Sequence, residues 1–140
     1  MLEYSFESAI PRPSKSDQIM RLSAPYANEC QGSATRVVFV CSAGMLRSAT
    51  AAKVAICMGM NARACGSENY ALVPLSVNLI NWAEKIYFVN NYNIVSSRDT
   101  FYDDKDTLSQ LNEKAVVWDI EDIYNYDEPQ LVRIITKLLA

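Results

Sequence analysis

Two residues stand out for what they could do together. Cys41 and Arg47 bracket the segment Cys41-Ser42-Ala43-Gly44-Met45-Leu46-Arg47-Ser48. A thiolate is a strong nucleophile, and a guanidinium fork can hold two oxygens of a phosphoryl group at once, which an ammonium cannot. Cysteine and arginine separated by five residues can therefore face each other across one loop wrapped around an oxyanion. Spacing alone does not single out this pair, because Cys30 with Arg36 and Cys57 with Arg63 repeat it. Only Cys41 directly follows a run suited to a buried strand, Val37-Val38-Phe39-Val40, and precedes a helix-forming run. There, successive backbone N–H groups and a helix N-terminus converge on an anion.

The chemistry needs an ionised thiol. Moving a thiol pKa from about 8.5 to about 5 takes on the order of 5 kcal/mol of preferential anion stabilisation. A helix dipole supplies at most about 2 kcal/mol, so loop N–H groups, the guanidinium of Arg47 and the hydroxyl of Ser48 must supply the rest. No histidine is present anywhere in the 140 residues. That excludes Cys-His and Ser-His pairs and histidine metal sites. Gly44 allows the backbone to turn tightly around the anion. Expulsion of an alkoxide or phenolate also needs a proton donor, and without histidine a carboxylic acid is the natural one. The stretch Val116-Val117-Trp118-Asp119-Ile120-Glu121-Asp122-Ile123-Tyr124-Asn125-Tyr126 offers two. Asp122, further from its strand, is the better placed to reach over a bound phosphate. Asp119 remains the alternative acid, and Tyr124 and Tyr126 are candidates for the walls of a substrate cleft.

The elements that must position these groups alternate along the chain. A strand at 36–40 is followed by a helix over Arg47 to Met58, a weak strand over Ala62 to Cys65, and a helix over Leu75 to Ala83. Next come a strand over Lys85 to Val89, a less regular helical region, a strand over Ala115 to Asp119 and a final helix. For that helix Asp127 is the expected cap, with Pro129 in its first turn and Leu131, Ile134, Ile135 and Leu138 as its apolar stripe. Such alternation predicts one α/β domain, a three-layer unit with a four-stranded parallel sheet flanked by helices. Ligands in such sheets bind in the loops after the carboxyl ends of the strands, here 41–47 and 119–126. Residues 1–34, with Pro11, Pro13 and Pro25, read as an arm with a short helix over Ser16 to Ser23, and residues 35–140 as the domain proper.

Hydrophobic residues at 50% and charged residues at 21% are ordinary globular values, with no apolar run long enough to span a membrane. The N-terminus lacks the pattern of a secretory signal, so a cytoplasmic location and reduced thiols are expected. A net charge of −3 does not favour nucleic acid or anionic membrane, and Asp103, Asp104 and Asp106 read as a solvated loop.

Taken together, VVFVCSAGMLRSATAA and WDIEDIYNYDEPQLV resemble the two signature regions of the low-molecular-weight protein tyrosine phosphatase superfamily, and NWAEKIYFVNN resembles its central strand region. The resemblance runs from Thr35 to Ala140 and is nearest to the small tyrosine phosphatases of microbes and their viruses. It implies the phosphotyrosine protein phosphatase I-like fold, a phosphate loop formed by residues 42–48 with Cys41 as nucleophile, Arg47 and Ser48 in the family positions, and Asp122 as general acid. It implies a phosphocysteine intermediate, no metal, no cofactor, and a phosphorylated protein or small phosphate ester as partner. Three departures mark this chain: Gly44 stands where the family has asparagine, Leu46 where it often has a second cysteine, and Ile123 where proline follows the acid. Three rivals share the architecture: an arsenate reductase-like enzyme, a phosphocysteine carrier and a noncatalytic phosphate-recognition module. The first needs further cysteines, and none follows Cys65. The second needs neither the arginine nor the late acid.

Overall fold

The computed structural model describes residues 34–140, so the arm up to residue 33, with its helix over Ser16 to Ser23, lies outside the described residues. Four strands build one sheet: β1 (Arg36–Cys41), β2 (Asn61–Gly66), β3 (Lys85–Phe88) and β4 (Ala115–Val117). Their order is β2-β1-β3-β4, and every neighbouring pair is parallel. The expected four-stranded α/β architecture is thus the one observed. The chain leaves β1 toward β2 on one side and returns to β3 on the other. The carboxyl end of β1 therefore sits where the strand order reverses, the place at which such sheets open a crevice.

β1 is buried from Val37 to Cys41 because its two faces serve two cores. Val37, Phe39 and Cys41 point to one face, where α1 (Arg47–Cys57) and α5 (Pro129–Leu139) pack through Ala51, Ala52, Ala55, Leu131 and Ile135. Val38 and Val40 point to the other, where α2 (Val77–Trp82), α3 (Asn91–Thr100) and α4 (Lys105–Lys114) bring Leu79, Ile80, Ile94 and Leu111. On the first face Phe39, Tyr87 and Trp118 form a ring stack across neighbouring strands, with centroids 4.9–5.7 Å apart. On the second, Trp82 packs under the Arg63 guanidinium, 5.0 Å away. Full burial of a side chain such as Leu131 or Ile135 is worth about 1.5–3 kcal/mol, which is what fastens a helix with modest intrinsic stability to the sheet.

Several boundaries differ from the sequence expectation, each for a local reason. The irregular region after β3 is two helices. Asn90 Oδ1 caps α3 by accepting from Tyr92 N, and Asp104 caps α4 by accepting from Thr107 N and Thr107 Oγ1. The acidic stretch is therefore a helix start and not merely a solvated loop. Ser76 Oγ accepts from Leu79 N and sets the start of α2, so that helix is shorter than Leu75 to Ala83. β4 ends at Val117, although Trp118 N and Ile120 N still donate to Phe88 O and Val89 O. Asp127 is not the cap of α5: Glu128 precedes Pro129 at the helix start, while Asp127 lies at φ 59° with its carboxylate on Lys53, 2.7 Å away. Of the expected stripe on α5, Leu131 and Ile135 are buried, whereas Leu138 is half exposed.

Candidate active site

β1 delivers Cys41 to the top of the sheet, where the chain folds back on itself. Gly44 makes this possible. Its φ of +77° is one that L side chains rarely adopt, and a Cβ there would lie 2.8 Å from the carbonyl carbon of Cys65. Backbone bonds lock the loop against the end of β2: Ser67 N donates to Cys41 O at 2.7 Å and Glu68 N to Ser42 O at 3.2 Å. The folded loop aims groups at the sulfur. Gly44 N donates to Cys41 Sγ at 3.2 Å, and Ser48 Oγ lies 3.0 Å from it. Cys41 is 3% exposed and Ser48 fully buried, so water competes little for these contacts.

Helix α1 begins directly after the loop. Its N-cap residue, Leu46, has no side-chain oxygen to offer, and the first turn carries no acidic residue. The N–H groups at the helix start are thereby left to an anion in the loop. Met45 and Leu46 stand exposed on the rim.

Arg47 is only 4% exposed and is turned toward the second loop. Its Nη1 donates to Ile120 O at 2.9 Å, and its Nε lies 3.6 Å from Asp122 Oδ1. Asn90 Nδ2 reaches the same carbonyl of Ile120 at 3.4 Å. The structure thus brings Arg47 and Asp122 into contact, with the Asp122 side chain 68% exposed. Asp119, between the buried Trp118 and Ile120, faces solvent and forms no bond to another described residue. Tyr124 packs against the core cluster of the α1 and α5 face, and Tyr126 stands half exposed with Lys53 Nζ 5.9 Å from its ring centre.

Two sets of residues are not assigned to the site by the sequence reading. Asn93 on α3 is fully buried, and its Nδ2 donates to Ser42 Oγ at 3.2 Å and to Ser67 Oγ at 3.1 Å. Ser67 Oγ in turn donates to Glu68, which also accepts from Ser96 and Tyr92. Bonds from Ser96 first, then Ser67 and Tyr92, hold the Glu68 carboxyl below its usual value. The bond to Glu68 and its negative charge in turn raise the Tyr92 hydroxyl above its own. The second set is Thr50, Lys53 and Asp127, on the far side of the acid loop. Among the other thiols, burial pushes Cys65 well up, with the neighbouring Cys41 adding to the shift, and Cys65 is fully enclosed on the opposite face of the sheet. Cys57 is exposed near the end of α1, its thiol raised by partial burial. Among the described residues no group of three or more cysteine, aspartate or glutamate side chains is placed to hold a metal ion, and no helix is long and apolar enough to cross a membrane.

A parallel 2-1-3-4 sheet with a cysteine loop at its strand-order reversal has the fold of the low-molecular-weight protein tyrosine phosphatases. Among solved structures, the YwlE arginine phosphatase, in a cysteine-to-serine mutant with a phosphorylated active-site serine, matches with a TM-score of 0.57 at 14% identity, over 75% of this chain and 91% of that one. Another YwlE mutant, from Bacillus subtilis, matches with a TM-score of 0.55 at 14% identity, over 76% and 94% of the two chains. At this identity the likeness is one of fold. No protein-family model and no curated protein matches the sequence.

Proposed function

We propose that this chain is a cysteine-dependent phosphatase acting on phosphate monoesters, with residues 35–140 as its catalytic unit. The observation that carries the reading is the convergence on Cys41 Sγ of Gly44 N–H and Ser48 Oγ at the mouth of an uncapped helix. A buried arginine ties that loop to the exposed Asp122. Hydrogen bonds to the sulfur favour its thiolate, and loop N–H groups of residues 42–48 would cradle the phosphoryl oxygens. Arg47 would hold two of those oxygens and offset charge in the in-line transition state.

In the proposed first step the Cys41 thiolate forms a sulfur–phosphorus bond while the phosphorus–oxygen bond to the leaving group breaks, and Asp122 gives that oxygen its proton. In the second step Asp122, now a carboxylate, takes a proton from water, which attacks phosphorus and releases the cysteine and inorganic phosphate. Both steps use side chains of this chain alone. Asp122 is preferred to Asp119 as the acid because it already touches the phosphate-binding arginine. Met45 and Leu46 on the cysteine loop and Ile123 and Tyr126 on the acid loop are all exposed; together they would form an apolar rim suited to an aryl leaving group, which makes a phosphotyrosine protein the proposed substrate. Tyr124 would support that rim from beneath.

The test is hydrolysis of p-nitrophenyl phosphate with EDTA present. Turnover by the native protein that vanishes in Cys41→Ser is the expected result. A native protein inactive from about pH 5 to 7, where a carboxylic acid can serve as donor, yet still binding a phosphopeptide, would replace the phosphatase by a phosphate-recognition module. Peptides carrying phosphotyrosine, phosphoserine or phosphoarginine then decide the leaving group, with phosphotyrosine expected to be turned over fastest.

A further inference from the structure

The acid loop is hung from one face of helix α1. Its near end is fixed where Arg47 Nη1 holds Ile120 O. Its far end is fixed where Asp127 N donates to Thr50 Oγ1 at 2.8 Å and the Asp127 carboxylate meets Lys53 Nζ at 2.7 Å. Residues three apart on a helix share a face, so Arg47 and Thr50 present their side chains to the same loop. Between these two pins Glu121, Asp122 and Ile123 are all exposed.

Thr50 does more than hold a remote turn. It is fully buried, and its hydroxyl, while accepting from Asp127 N, donates to the carbonyl of Leu46 at 2.8 Å. Leu46 is the last residue of the cysteine loop before Arg47. One hydroxyl therefore spends its proton on the phosphate loop and its lone pair on the acid loop. Asp127 itself lies at φ 59°, a conformation uncommon outside glycine and held only where its surroundings fix it. Its N–H and carboxylate are both engaged on α1, which is what fixes it.

We infer that Thr50 is a positioning residue whose hydroxyl links the phosphate loop to the acid loop and so sets where Asp122 stands over the phosphate, with Lys53 as its outer support. This rests on the phosphatase reading, because the role is to place the acid of that reaction. Thr50 touches no reacting atom. Its loss should weaken protonation of the leaving group while attack by Cys41 persists.

The experiment compares the native protein with Thr50→Val, which keeps the side chain's shape and removes both bonds, and with Thr50→Ser, which restores them. Turnover is measured on phenyl phosphate, whose leaving group needs the proton, and on p-nitrophenyl phosphate, which needs it less. Thr50→Val is expected to lower the ratio of the first to the second about tenfold, within the range that a small misplacement of a catalytic group costs. Thr50→Ser should recover most of it. Amide exchange supplies a readout independent of turnover: residues 121–127 should exchange about tenfold faster in Thr50→Val while residues 41–48 keep their protection. An unchanged ratio, or unchanged exchange at 121–127, overturns the link. Equal loss on both substrates, with faster exchange at 41–48, overturns it in favour of a prop for the phosphate loop alone. If Thr50→Val does not fold, Lys53→Met reads the same link from its more exposed side, with a fall of about threefold in the ratio expected and no change overturning it. A native protein inactive on both esters would sink the phosphatase reading and the positioning role together, while exchange at Asp127 would still show whether the loop is tied to Thr50.

Discussion

The two loops above the sheet are built in opposite ways. The cysteine loop is enclosed: Cys41, Arg47 and Ser48 are buried, Gly44 presses against the backbone of Cys65 and Gly66, and Asn93 grips Ser42 from another helix. The acid loop is a span, fastened at Ile120 and Asp127 and open to solvent at 121–123. The difference follows the demands of the proposed chemistry. Stabilising a thiolate and a phosphoryl group requires several donors fixed before the substrate arrives, since reorganisation at the moment of reaction costs rate. A proton donor needs one atom in place over the leaving group, and a substrate must still enter and leave beneath it. Rigidity sits where many weak contacts must add up.

The contrast is open to attack at its strongest point first. Arg47→Lys removes the fork that would hold phosphate and the bond that fixes Ile120, so it should lower kcat/KM for p-nitrophenyl phosphate by about 10²–10³, the effect of losing a preorganised donor. A drop of only a few-fold would mean that the enclosed loop is not where charge is stabilised. Asp122→Asn should cost about 10² on phenyl phosphate, in keeping with loss of a general acid, and clearly less on p-nitrophenyl phosphate. If Asp119→Asn shows that pattern instead, the acid stands nearer the strand end than its present contacts indicate. Gly44→Ala tests rigidity directly. A side chain at φ +77° facing the backbone of Cys65 should destabilise the fold by about 1–3 kcal/mol, read as a lower urea midpoint. A neutral result would show the loop to be more yielding than the span beside it.

The smallest effect concerns the outer end of the network behind the loop. Glu68 is held below its ordinary value of 4.5 by bonds from Ser96, Ser67 and Tyr92. A depressed carboxylate contributes stability that is complete above its unfolded pKa and disappears as pH falls through the lower folded value. Glu68→Gln should therefore remove a slight loss of stability that the native protein shows as pH falls from the unfolded pKa through the lower folded one. Because the group is largely in water, the change is expected to be small. Equal pH dependence of the urea midpoints of the two proteins across the acid limb would show that the network adds nothing there.

The enclosed loop was the legible one. A β-branched strand, a glycine, a cysteine and arginine at fixed spacing and an alanine-rich helix are each local patterns, and local geometry is what sequence encodes most directly. The acid loop was legible in place but not in detail. Asp119 and Asp122 lie three residues apart in a segment without period, and only the contact from Arg47, far away in the chain, separates them. Asp127 illustrates the same limit. An aspartate two residues before a proline reads as a helix cap, yet Lys53 and Thr50 claim its carboxylate and N–H, and the helix starts without it. Asn93 and Thr50 carried no motif because their roles consist of reaching across between elements, which one-dimensional spacing does not record.

The protein contains two tryptophans, Trp82 and Trp118, and the sheet separates them. Trp118 stacks with Phe39 and Tyr87 on the face shared by α1 and α5, one residue before Asp119, while Trp82 lies against Arg63 on the other. Each layer thus carries its own optical reporter. In a Trp82→Phe protein the remaining emission comes from beneath the acid loop, and in Trp118→Phe from the α2 side, so the unfolding of the two halves can be timed separately without adding a dye.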